Sequence, residues 1–208
     1  MDVGYIILAG GKSTRLGRNK VFEIIGQKSL LERAVSCLSS FKSEIIVVKA
    51  KDSSLPELTG YPELRIVTDV YPGKGSLGGI YTGLVASKAF YNMVVACDMP
   101  FLNLDLLRYM IDLAREYDVV IPKVDDEILE PLHAIYSGNC IPPLEFLIKQ
   151  NRLSILELFP MVKVRNVANS EINQFDPQHL SFFNINTEAD LQKGLKLAGK
   201  EGFKSDKC

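Results

Sequence analysis

Histidine and cysteine are too sparse and too scattered in this chain to build a metal cage. The two histidines, His133 and His179, and the four cysteines, Cys37, Cys97, Cys140 and Cys208, form no C-x-x-C pair and no zinc-ligand spacing. Dispersed thiols of this kind are expected to be free, in a reducing compartment. No apolar run is long enough to span a bilayer, and Met1-Asp2-Val3-Gly4 lacks the basic opening of a signal peptide. A cytoplasmic protein without a membrane partner is expected. An excess of one charge is missing too. The 24 Lys and Arg against 25 Asp and Glu leave a net −1, which argues against a general nucleic-acid binder. No repeat and no linker-like stretch interrupts the sequence.

What is present is a core. At 47% hydrophobic over 208 residues, one α/β domain is the economical reading. Short apolar runs at Val3–Leu8, Ile45–Val48, Leu64–Thr68, Met93–Cys97 and Asp118–Pro122 read as buried strands. Helical patterns fall between them. One begins at a capping box, Ser29-Leu30-Leu31-Glu32; a second follows a glycine cluster at 73–79; a third is capped by Asn103. Beyond residue 126 the pattern is less regular. A strand is expected over Leu132–Tyr136, a helix over 140–150, an outer strand over Val162–Val167, and a last helix capped at Thr187 with Asp190 as its acid. Strand and helix alternate, which predicts a mainly parallel sheet covered on both faces.

The chemistry concentrates after the first strand. Leu8-Ala9-Gly10-Gly11 is followed by Lys12, Arg15, Arg18 and Lys20, so close-approach glycines precede a run of cations. Such a pattern suits a polyphosphate. Gly11-Lys12-Ser13 mimics the end of a Walker loop, but the glycine required five residues before Gly11 is Ile6. The G-x-G-x-x-G pattern is also broken. What remains is G-G-x-S-x-R-x-G with a lysine three residues on. Arg15 and Lys20 are the candidate phosphate cations, since Arg grips two oxygens and Lys acts as a movable point charge. Lys12 and Arg18 read equally well as solvated surface charge.

Two acids complete the set. Asp98 and Asp69 each follow a strand, where open α/β sheets place ligands. A carboxylate at Asp98 can hold Mg²⁺ by its oxygens. The downstream glycines from Gly75 to Gly79, with Gly78 among them, can present a helix N-terminus to an anion.

These segments resemble the nucleotidyltransferases of Rossmann-like fold, and among them the molybdenum cofactor guanylyltransferases of the MobA type. The resemblance runs through Leu8–Gly17 and Lys20, Asp69–Gly73, Gly75–Ile80, Cys97–Phe101, Glu130–Ala134 and Asn184–Thr187. It implies a single-domain three-layer sandwich of the nucleotide-diphospho-sugar transferase type over 1–208. Residues 1–125 would be its nucleotide-binding half, 126–198 its second-substrate half, and 199–208 a frayed tail. It also implies transfer of GMP from GTP to the phosphate of molybdopterin, with Mg²⁺ on Asp98 as metal ligand. Arg15, Lys20 and Asp98 would be catalytic; Leu8, Ala9, Gly10, Gly11, Lys20, Asp69, Gly78 and Asp98 would bind the nucleotide. Recipients of the product would be a molybdoenzyme or a chaperone of its assembly. Gly10 favours guanine, because cytidylyl relatives tend to carry Ala-Ala-Gly there. Lys49 departs from the Asn that bacterial members often carry just after the second strand, and Ser76 from a frequent Pro. Cytidylyl transfer, a sugar-phosphate acceptor, or a non-catalytic assembly factor are the alternatives. His133 reads as a hydrogen-bonded core histidine or a pterin contact, and Asn184 and Asn186 as shaping the second-substrate side, with a cap role before the last helix as the alternative for Asn186.

Overall fold

The computed structural model describes residues 2–10, 18–125 and 127–200. In chain order the strands are β1 (Val3–Leu8), β2 (Ile24–Ile25), β3 (Lys28–Ser29), β4 (Ile45–Lys49), β5 (Leu64–Thr68), β6 (Tyr91–Ala96), β7 (Val119–Val124), β8 (Ile128–Leu129), β9 (His133–Ser137) and β10 (Val164–Val167). The helices are α1 (Leu30–Leu38), α2 (Gly75–Ala86), α3 (Leu104–Leu113), α4 (Ile141–Lys149), α5 (Asn169–Ile172) and α6 (Glu188–Lys200). The main sheet runs β10-β7-β9-β6-β1-β4-β5, with β8 paired to β7 off this path. β1 is an interior strand, parallel to β4 on one side and to β6 on the other. The strand order therefore reverses at β1, and open sheets bind ligands at the carboxyl ends beside such a reversal.

Burial on both faces explains the unbroken apolar runs. Tyr5 and Ile7 of β1 pack into one core with α1 and α3, while Ile6 and Leu8 pack into a second with α2 and α4. Each fully buried aliphatic side chain contributes roughly 1.5–3 kcal/mol. The mainly parallel sheet expected from the sequence is present. β9 runs against it, antiparallel to both β6 and β7. The short return through β8 makes this possible, because an antiparallel neighbour needs no helical crossover.

The capping residues behave as their chemistry requires. Ser29 Oγ accepts from the Glu32 amide at 3.2 Å, and Asn103 Oδ1 accepts from the Asp105 and Leu106 amides at 3.0 Å each. At α6 the box is reciprocal: the Thr187 amide donates to Asp190 at 2.8 Å and the Asp190 amide donates to Thr187 Oγ1 at 3.2 Å. Cys97 and Cys140 are free and buried. Cys37 is disulfide-bonded, which corrects the expectation of a free thiol at that position. Every other cysteine is far from Cys37 in the sequence, so no short spacing signals the bond.

Candidate active site

Four parallel strands, β1, β4, β5 and β6, deliver their carboxyl ends to one pocket of about 1070 Å³. Leu8, Ala9 and Gly10 come from the end of β1, Lys49 from β4, Asp69 from just beyond β5, and Ala96, Cys97 and Asp98 from β6. Lys20 also lines it, from a short 3-10 turn, Lys20–Phe22, capped by Asn19.

Lys20 donates a charge-assisted hydrogen bond to Asp98 Oδ2, and both side chains are sheltered, 19% and 9% exposed. A carboxylate so far out of water needs a partner cation, because an unpaired buried charge is strongly destabilising. The backbone of Asp98 is also held, its carbonyl accepting from the Ile185 amide at 3.0 Å. Asn186 follows directly, with its Oδ1 3.4 Å from Lys20 Nζ. Glu130 lies within the electrostatic reach of this centre. Burial, reinforced by the charge of Asp98, pushes its carboxyl above the usual carboxylate range. Burial likewise pushes the Cys97 thiol up to about 12, helped by Asp98, so this pocket-lining sulfur is not a thiolate nucleophile.

Asp69 shapes the other rim. Its Oδ1 accepts from the Tyr71 amide and from Thr82 Oγ1, each at 2.9 Å, so the carboxylate ties the turn after β5 to α2. That turn needs two left-handed residues, and Gly73 (φ 80°) and Gly75 (φ 62°) supply them. α2 then starts at Gly75 without a side-chain cap, and Gly75 and Ser76 line the pocket. Uncapped N–H groups at a helix start favour an anion.

Of the residues proposed from sequence, Leu8, Ala9, Gly10, Lys20, Asp69 and Asp98 share this pocket, as does Lys49. Gly78 is one residue from its wall and faces the Tyr71 carbonyl, where a Cβ would come within 2.8 Å; the neighbouring Gly79 lines the pocket instead. Gly11, Arg15 and Lys12 lie outside the described residues. Arg18 lines the pocket but is committed to Glu23 and, at 3.0 Å, to Glu188. Lys49 donates to the Ser53 carbonyl at 2.9 Å and so braces the following loop. Sequence reading missed Asn19 and Ser53. Asn19 binds the Ser54 carbonyl at 3.2 Å, and its only signal was a capping residue directly before Lys20.

His133 is a core histidine, but without the hydrogen bond expected of it. It is 0% exposed, and neither ring nitrogen has a hydrogen-bond partner. Its ring meets Phe182 edge-on at 4.9 Å. Among the described residues, no group of three or more His, Cys, Asp or Glu side chains converges to hold a metal ion. The donor set at Asp98 fits a hard divalent ion completed by substrate phosphates and water, and does not fit a caged structural metal.

A parallel sheet with a sheltered Lys–carboxylate pair and an uncapped helix start at its carboxyl edge defines a nucleotide-handling transferase of the α/β type. The chain belongs to the MobA-like NTP transferase domain family, whose model matches residues 5–161. A probable molybdenum cofactor guanylyltransferase of Pelotomaculum thermopropionicum is 33% identical over 193 residues, covering 93% of this chain and 92% of that protein. The molybdenum cofactor guanylyltransferase of Desulfosudis oleivorans is 32% identical over 191 residues, covering 90% and 92%. The crystal structure of molybdopterin-guanine dinucleotide biosynthesis protein A from Archaeoglobus fulgidus superposes with a TM-score of 0.81 at 29% identity, over 95% of this chain and 99% of that one.

Proposed function

We infer that this chain transfers GMP from GTP to the phosphate of molybdenum cofactor (molybdopterin), giving molybdopterin guanine dinucleotide and pyrophosphate. The observation that carries this reading is the Lys20–Asp98 pair at the glycine-edged pocket, in a chain whose guanylyltransferase relatives align along nearly all of its length. An oxygen of the acceptor phosphate attacks the α-phosphorus of GTP, and the bond from that phosphorus to the β-bridging oxygen breaks. The electron pair leaves with pyrophosphate.

Such a transfer asks the protein for positioning and charge neutralisation more than for covalent chemistry. On this reading Leu8, Ala9 and Gly10 seat the nucleoside, and Gly10 leaves room for guanine. Asp69 and the start of α2 hold the turn against the phosphates. Lys20, with Arg15, stabilises the departing pyrophosphate. Through its carboxylate Asp98 would hold Mg²⁺, which would supply charge neutralisation at the phosphoryl oxygens. No general base is needed, because the nucleophile is already an anion. The sealed position of His133 agrees with that, since it has no access to the pocket as an acid or base.

The deciding experiment is product analysis after incubation with each nucleoside triphosphate, Mg²⁺ and molybdopterin or a sugar phosphate. Molybdopterin guanine dinucleotide formed from GTP is the expected result. Pyrophosphate release from CTP alone would overturn the guanylyl assignment, and GTP binding without turnover would favour an assembly factor.

A further inference from the structure

Lys20 occupies one oxygen of the carboxylate that a divalent cation would use. Its ammonium binds Asp98 Oδ2, and Asp98 is only 6% exposed, so Lys20 screens a charge that water reaches poorly. The carboxylate has little freedom to move away. Its backbone carbonyl is tied to Ile185 at 3.0 Å, and the Met99 amide donates back to the Ala96 carbonyl at 3.4 Å, closing the turn. Lys20 is different. Its head is carried on a flexible four-carbon stem from a three-residue 3-10 turn, and 19% of the side chain is exposed. Its ammonium also lies 3.4 Å from Asn186 Oδ1, a neutral acceptor between which and Asp98 it can shift.

We propose that Lys20 is an exchangeable counterion: it neutralises Asp98 until a nucleotide triphosphate takes its ammonium, and only then can Asp98 accept a divalent cation. This rests on the assignment of Asp98 as metal ligand and of Lys20 as phosphate cation. The ammonium on Oδ2 already neutralises the charge that would draw a divalent cation to Asp98, so the two compete. A triphosphate removes the competitor by offering Lys20 more negative charge than Asp98 does. Nucleotide and cation binding are then coupled, and by linkage each strengthens the other to the same degree. Both end states of the exchange leave the sheltered carboxylate with a cation.

The probe is Mn²⁺ followed by electron paramagnetic resonance, with no acceptor present so that no transfer occurs. The unaltered protein without nucleotide should bind Mn²⁺ weakly; tight binding under those conditions would overturn the exchange directly. Lys20→Gln removes the resident ammonium and should tighten nucleotide-free Mn²⁺ binding by about tenfold, within the usual range of coupling between sites. Lys20→Met should do the same, and serves if the glutamine variant does not fold. Lys20→Arg retains the charge and should bind Mn²⁺ as weakly as the parent. Unchanged affinity in both neutral variants would sink the proposal. Adding Asp98→Asn to Lys20→Gln separates the two assumptions. If the tighter Mn²⁺ site survives that second change, Asp98 is not the metal ligand. If Asp98→Asn alone weakens Mn²⁺ binding to the GTP complex while Lys20→Gln changes nothing, the metal assignment stands and the exchange is wrong.

Discussion

The Ile185 amide donates to the Asp98 carbonyl at 3.0 Å, so a residue near the C-terminus fixes the turn that carries the central acid of the pocket. Ile185 is itself fully buried beside Ile25, Leu30 and Leu191. The next residue, Asn186, reaches Lys20, and Asp190 accepts from the Asn186 and Thr187 amides at 3.1 and 2.8 Å. The loop before α6 is thus the rigid back wall of the Lys20–Asp98 pair.

Asp98→Ala removes the proposed metal ligand and the partner of Lys20 together. Losses on the order of 10²–10³ in kcat accompany removal of a single electrostatic contact to a transition state, and at least that is expected here. Steady-state pyrophosphate release from GTP measures it. Turnover within twofold of the parent would dismiss Asp98 from the chemistry.

The close approach of α2 to β1 is tested at Gly83. A Cβ there would lie 2.5 Å from Ile6 Cγ2 and 2.9 Å from Ile6 Cδ1, and Ile6 is fully buried in the centre of the sheet. Gly83→Ala should therefore destabilise by about 1–3 kcal/mol through overpacking. Urea denaturation reads it as a lower midpoint at unchanged slope. An unaltered midpoint would mean that the helix can slide on the strand without penalty.

The elements that carry their own local signal were legible in the sequence. β1, β4, β6 and β7 are buried, mostly apolar runs because both faces of the sheet are covered there, whereas edge strand β5 is largely exposed; Ser29, Asn103 and Thr187 cap where their side chains can reach the free amides. The direction of β9 was not legible, since His133–Ser137 would look the same in either sense. The convergence of Asp69, Asp98 and Lys20 was readable only as strand ends in series. Their pairing is a matter of three-dimensional distance, and 78 residues separate Lys20 from Asp98. Nor could the spacing show that Arg18 binds Glu188 across 170 residues, or that Gly79, one step from Gly78, is the glycine at the pocket wall.

Asp69 has a structural task that separates from catalysis. Through Oδ1 it holds the Tyr71 amide and the hydroxyl of Thr82, which is buried and donates at 2.9 Å while accepting from the Val70 amide at 3.1 Å. Asp69→Ala strands these groups, which should cost about 1–3 kcal/mol. The turn leading to Gly73 and Gly75 then loosens, so KM for GTP should rise more than kcat falls. Equal losses in kcat and kcat/KM, with KM unchanged, would instead assign Asp69 to the transition state.

His133 sets an acid limit on stability. Burial holds its imidazole down to about 3, against an ordinary value of 6.5. The unfolded chain takes up this proton as pH falls through about 6.5, whereas the folded chain does not until about pH 3. The unfolded state binds more protons throughout that window, so stability drops as the pH is lowered across it. Between pH 7 and pH 5 the contribution is about 2 kcal/mol. His133→Leu removes the titration and also the two unpartnered ring nitrogens beside Phe182. An apolar side chain of similar bulk should leave stability at pH 7 unchanged or higher, because no hydrogen bond is lost. Urea denaturation of both proteins at pH 7 and pH 5 gives the comparison. A pH dependence in the leucine variant as steep as in the parent would show that the ring is not protonated on unfolding alone, and that another group governs the acid side.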